Sequence, residues 1–207
     1  MKDRPILFSA PMVRALLDGS KTQTRRVMKA QPPSHVVDFC TYHNPKGDGL
    51  AHFGFDPVAR ELQEWFAVCP YGQPGDRLWV RETWRPNADG GFEYKADGGP
   101  MQSAFKQIFD DLLKRKWKPS IHMPRGASRI TMDITGVRIE QLHDITETDA
   151  KAEGLTCHHG LYATPDQVWQ IDPRKAYRDL WESINGPESW EANPFVWVIE
   201  FKKVTAL

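Results

Sequence analysis

Neither sign of charge is in excess in this chain: lysine plus arginine and aspartate plus glutamate each total 27, for a formal net charge of zero. With no global field to draw in polyanions, any contact with nucleic acid has to come from a local patch. Cysteine is scarce. Cys40, Cys69 and Cys157 are odd in number and lack CxxC spacing, which argues against a disulfide framework and for a reducing, cytoplasmic setting. Long apolar runs are missing as well. The run after Met1-Lys2-Asp3-Arg4-Pro5 is broken by Pro11 and Arg14, too short for a signal peptide, and no stretch approaches a membrane span. There is no internal repeat and no low-complexity tail. Cys40-x-x-His43 has ligand spacing, but no second Cys/His pair stands at a finger-like distance, so no metal and no cofactor is assigned. The expectation is a single soluble domain over residues 1–207, a monomer or weak dimer with no membrane partner.

What the chain has in quantity is tryptophan and proline, 8 and 16 residues. Indoles at that density suit a flat-faced ligand, a crowded β-core, or both. The densest polar stretch is Gly19-Ser20-Lys21-Thr22-Gln23-Thr24-Arg25-Arg26. A lysine whose pKa is lowered can act as a base, a threonine as a nucleophile, and paired arginines can hold an anion or a carbonyl-rich base. A solvated basic strand edge would also account for it. The stretch follows a short helix: Ser9 can cap it, Pro11 suits its first turn, Val13, Leu16 and Leu17 share a face, and Gly19 ends it. Strict strand alternation would put Lys21 and Thr24 on opposite faces. If the two cooperate, residues 21–24 must include a turn or bulge.

Residues 30–73 have weak periodicity and are expected to form an insertion with one short helix, Val58 to Phe66. Pro74-Gly75-Asp76 marks a turn into a strand through Trp84, in which Trp79 and Arg81 face away from Leu78 and Val80. That face could stack on a base or simply pack Trp against Arg across strands. A hairpin is expected over Gly90 to Gly99, with Phe92 and Tyr94 on its first arm, and an amphipathic helix over Ala104 to Trp117. The loop Ile121 to Arg129 runs into an alternating strand, Ile130 to Glu140, with a bend at Gly136. Such bending suggests a small barrel, with His122, Arg125 and Arg129 near its mouth.

Thr146 and Asp149 resemble a capping box, and Gly154 stops that helix after about two turns. Glu153 then lies where the helix dipole disfavours a carboxylate, a position that calls for water or a cation such as Lys21. The last helix, Asp172 to Asn185, buries Ala176, Tyr177, Leu180, Trp181 and Ile184. It leads into Phe195 to Phe201, a strand apolar on both faces and therefore central.

Taken together, Ile6 to Arg26 (ILFSAPMVRALLDGSKTQTRR), Pro74 to Trp84 (PGDRLWVRETW), Ser128 to Gly154 and Phe195 to Val204 resemble the ASCH family. The resemblance implies an α+β fold, a PUA-like small β-barrel flanked by helices, here with insertions at about 31–73 and 86–119. It also implies a cleft for RNA or modified nucleosides. Some members are metal-independent amidohydrolases that remove the acyl group from N4-acetylcytidine or related N4-acylated cytosine nucleosides. Their KTxT segment is similar to Lys21-Thr22-Gln23-Thr24, which carries the lysine and threonine roles to Lys21 and Thr24. Their glutamate, six residues after the Glu of an (L/I)-T-E turn, corresponds to Glu153. In that chemistry Thr24 attacks the acyl carbon, Lys21 takes its proton and Glu153 orients Lys21. Backbone N–H groups of Ser20 to Gln23, or Arg26, receive the oxyanion. Trp79 or Trp84 stacks on the pyrimidine, and His122 or Arg125 meets its carbonyl or the ribose. The rival readings are an RNA-binding module using Lys21, Arg25, Arg26, Arg125 and Arg129, and a ribonuclease using His122 or His143.

Overall fold

The computed structural model describes residues 1–33, 36, 38–43, 50–56, 61–87, 90–98, 116–163 and 169–204. The chain is mixed α+β around a five-stranded sheet. Its strands are β1 (Asp3–Leu7), β2 (Gln23–Val27), β6 (Arg77–Arg81), β9 (Thr131–Gln141) and β13 (Phe195–Lys203), in the order β1-β6-β9-β13-β2. Only β1 and β6 run parallel. The doubly apolar β13 lies between β9 and β2, with Val196, Val198 and Ile199 fully buried. Against β13, β9 carries a register break at Glu200/Phe201, opposite Gly136. A Cβ on Gly136 would stand 2.7 Å from Glu200 Oε2, so the bend and the glycine belong together.

The strands do not close into the small barrel expected. β1 and β2 are the two edges of an open sheet, with no backbone ladder between them. A side chain spans the gap instead: Arg26 Nη2 donates to the Leu7 carbonyl at 2.7 Å.

Among the described residues, three helices flank the sheet. α1 (Ala10–Asp18) buries Met12, Val13, Ala15 and Leu16 and ends at Gly19 in the left-handed region, φ 85°. Leu17, expected inside, is partly exposed. α2 (Glu147–Ala152) starts with the capping box foreseen, Thr146 and Asp149 bonded reciprocally. α3 (Pro173–Asn185) is capped by Asp172, which accepts from the Arg174 N–H at 2.8 Å. It buries Ala176, Tyr177, Leu180 and Trp181. No helix among the described residues is long and apolar enough to cross a membrane.

The first insertion forms an antiparallel sheet of β3 (Asp38–His43), β4 (Leu50–Asp56) and β5 (Glu61–Ala67). The helix expected over Val58 to Phe66 is therefore a strand over its described part. Apolar residues there do recur at helical spacing, but pairing with β4 (Phe53 opposite Phe66, Phe55 opposite Leu62) outweighs that local preference. The expected hairpin is also shifted. β8 (Phe92–Tyr94) pairs back onto β7 (Trp84–Pro86), and Lys95–Asp97 is a 3-10 turn rather than a second arm. The helix expected over Ala104 to Trp117 lies almost wholly outside the described residues. A small sheet of β10 (Thr156–His158), β11 (Leu161–Ala163) and β12 (Trp169–Gln170) packs on α3.

Candidate active site

Gly19 redirects the chain out of α1, and two backbone hydrogen bonds then fix the segment that follows. Lys21 N–H donates to Ala15 O and Thr22 N–H to Ala152 O, both at 2.9 Å. Lys21 forms an isolated bridge with Glu153, and the regular ladder of β2 begins only at Gln23. This irregularity puts Lys21 and Thr24 on the same cavity instead of opposite faces. The other side of the bridge depends on Gly154. At φ 90° it is left-handed, and a Cβ there would lie 2.9 Å from both Ala15 Cβ and Lys21 Cβ. A glycine after the glutamate therefore lets the two segments touch.

Lys21 and Glu153 are 4% and 3% exposed. Lys21 Nζ donates to Glu153 Oε2 at 2.8 Å and to the Glu153 carbonyl at 2.7 Å. The same amine thus satisfies a carboxylate and an orphan carbonyl at the end of α2, where a negative charge is otherwise disfavoured. The other carboxylate oxygen, Oε1, faces Arg25 Nη1 at 3.4 Å. Arg25, also buried, turns its Nη2 to Glu140 at 2.8 Å and to Asp149 at 3.5 Å. Burial pulls the Lys21 pKa below its ordinary value. Glu153 opposes the shift, and Arg26 and Arg25 add to it. The Phe8 ring, with its centroid 5.6 Å from Nζ, covers the amine on another side.

Lys21, Thr24 and Glu153 line one cavity of about 410 Å³, together with Arg26. Its wall opposite the sheet is α3, through Tyr177, Leu180 and Trp181. Its rim includes three exposed apolar side chains, Leu7, Val27 and Ile184. Ile184, expected inside, is 60% exposed because it stands at this mouth. Thr24 pairs with Ile199 through its backbone and makes no side-chain hydrogen bond among the described residues.

The other residues expected at the site lie elsewhere, and none of them lines this cavity. Trp84 is buried in a small separate cluster with Met123 and Ala127. Trp79 packs against the guanidiniums of Arg81, on the same strand, and Arg125, on a 3-10 turn, 5.3 and 5.7 Å from its ring. Arg125 is exposed and engaged by Asp3 at 3.3 Å, and His122 is exposed on a 3-10 turn. Arg129 is held by Glu82 and Asp97. His143 stacks on Trp190 and bonds its carbonyl at 2.8 Å. Three of the four backbone donors expected to hold an oxyanion are already in use: Ser20 N–H goes to Asp18, and those of Lys21 and Thr22 go to the carbonyls above, which leaves Gln23 N–H as the remaining backbone candidate.

Conversely, the cavity takes residues that sequence alone assigned only to the core or to no role. Phe8 and the α3 side chains are the main ones, with Thr83 and Ser120 reaching it from the far strand connections. Helical spacing placed Tyr177 only on the buried stripe, and its phenol makes no hydrogen bond among the described residues. No protein-family model, curated protein or solved structure matches this chain.

Proposed function

We propose that the protein is an ASCH-type, metal-independent amidohydrolase that removes the acyl group from N4-acetylcytidine or a related N4-acylated cytosine nucleoside. The observation that carries this reading is the grip of Glu153 on Lys21 in a buried cavity that Thr24 also lines. A neutral amine has two N–H donors and one lone pair. Glu153 offers two acceptors to that amine, its carbonyl and its carboxylate, so the lone pair remains to take a proton. Desolvation favours the neutral form, as a general base requires.

In the reaction, Thr24 Oγ1 bonds to the acyl carbon while its proton passes to Lys21. The tetrahedral intermediate then breaks its C–N4 bond as Lys21 returns the proton to the leaving amine. Water cleaves the resulting threonine ester by the same route in reverse, freeing the acid and restoring Thr24. Glu153 holds Lys21 in place and, with Arg25, completes the charge balance of the site.

An uncharged nucleoside also suits the apolar rim of Leu7, Val27 and Ile184. A phosphate-tracking RNA module would need the basic stretch in solvent, whereas Lys21 and Arg25 are buried against carboxylates. The test is chromatographic release of cytidine from N4-acetylcytidine by purified protein, compared with Thr24→Ala. Substitution of one member of a nucleophile–base unit is expected to lower kcat by about three orders of magnitude or more. Equal rates for the two proteins would remove Thr24 from the chemistry.

A further inference from the structure

Attack on an amide carbonyl moves an electron pair onto the acyl oxygen, and the site needs a donor for it. The Ser20, Lys21 and Thr22 amides are committed to other acceptors. Arg26 turns Nη2 to the Leu7 carbonyl, and the Nε atoms of Arg25 and Arg26 are sealed in protein with no partner among the described residues. Tyr177 differs from all of these. It is 3% exposed and its ring is wedged against Trp181 and Trp190. Yet its hydroxyl makes no hydrogen bond among the described residues and is not sealed off, because Tyr177 lines the cavity that holds Lys21, Thr24 and Glu153.

We propose that Tyr177 is a catalytic residue of the deacylation, its phenol donating a hydrogen bond to the acyl oxygen as the tetrahedral intermediate forms. This rests on the amidohydrolase reading above and names the missing part of it. As the Thr24 Oγ1–C bond forms, the carbonyl π pair becomes a lone pair on oxygen, and Thr24's proton goes to Lys21. Tyr177 keeps its own proton throughout and only shares it. When C–N4 breaks, the pair returns to the carbonyl and Lys21's proton leaves on N4.

The surroundings suit a donor rather than a base. Burial, reinforced by the Glu153 carboxylate, pushes the phenol well above the usual tyrosine range, whereas burial pulls Lys21 down, so the phenol still carries its proton as Lys21 loses one. A ring fixed between two indoles also loses little freedom when the oxyanion appears, which is the condition for preorganised stabilisation. Loss of the hydroxyl breaks no hydrogen bond within the described protein, so Tyr177→Phe should fold as wild type does.

The test is steady-state kinetics of wild type and Tyr177→Phe on N4-acetylcytidine, with the Tm of each and cytidine inhibition as a measure of ground-state binding. The expected result is a kcat lower by about 100-fold or more, with KM, the cytidine Ki and Tm within about twofold or a few degrees of wild type. An unchanged kcat, or a loss expressed in KM and Ki alone, overturns the role of Tyr177 and leaves the amidohydrolase reading standing. A collapse of Tm would make Tyr177 structural and overturn the proposal likewise. Absence of turnover by the wild type overturns the reading itself, and the role of Tyr177 with it.

Discussion

At the scale of single residues, the chemistry turns on how Glu153 poises Lys21. The carboxylate favours the ammonium, whereas burial and the two neighbouring arginines favour the amine. Glu153→Gln removes the one influence that raises the lysine pKa and leaves those that lower it. The rising limb of kcat/KM against pH, measured on N4-acetylcytidine, should therefore move to lower pH in that variant. A limb that moves to higher pH, or stays in place, would mean that Lys21 is not the titrating base. The Lys21–Glu153 pair was legible in the sequence because a carboxylate in the last turn of a capped helix is out of place without a cation. Trp79, Trp84, His122 and Arg125 were not separable from the site in that way. Alternation places a residue on a face, but which groups cover that face is decided by distant parts of the chain, as Arg125 covers Trp79. Tyr177 shows the converse. Helical periodicity identified it as buried, and nothing local reveals that its buried side opens on a cavity.

At the scale of elements, the glycines that end α1 and α2 shape the site. Gly19 turns the chain toward the sheet, and Gly154 combines a left-handed conformation with the tightest contact to the lysine segment. Gly154→Ala should lower stability by about 1–3 kcal/mol from the backbone alone, read as the midpoint of denaturant unfolding. It should also lower kcat at saturating substrate by pushing Lys21 from Glu153. A midpoint and kcat equal to wild type would mean that the two segments are not held together through this residue. Both helix ends were readable because caps and stop signals are local chemistry. The β5 strand was not, since Glu61–Ala67 owes its conformation to pairing with β4, and that pairing outweighs the spacing of its apolar residues.

At the scale of the whole molecule, the sheet remains open where a barrel was expected. An alternating strand with a bend at Gly136 serves a twisted sheet and a barrel equally well, and closure depends on whether two edges far apart in sequence pair. Here β1 and β2 meet only through side chains such as Arg26 on Leu7. Charge linkage ties the parts together instead. Arg25 of β2 meets Glu140 of β9 and Asp149 of α2, and Arg138 of β9 meets Glu200 of β13 and the same aspartate. The Asp149 carboxyl loses solvation on folding, but its hydrogen bonds to Thr146 and the Arg25 charge hold its pKa below the ordinary 3.8. A depressed carboxylate pKa contributes stability that is present above 3.8 and lost as pH falls through the folded value. Acid unfolding should accordingly be shallower in Asp149→Asn than in wild type below that pH, although the variant is less stable at neutrality. Parallel curves would remove Asp149 from the acid response.

The central claim, that Thr24 is a nucleophile served by Lys21 and Glu153, is tested most directly by intact-protein mass spectrometry. The protein would be mixed with N4-acetylcytidine and quenched with acid during the first turnover, then digested to locate any modification. A threonine nucleophile gives a transient gain of one acetyl group on the peptide that carries Thr24, absent in Thr24→Ala. Cytidine released by wild type with no acetyl group ever detected on Thr24, or released as fast by Thr24→Ala, would contradict it.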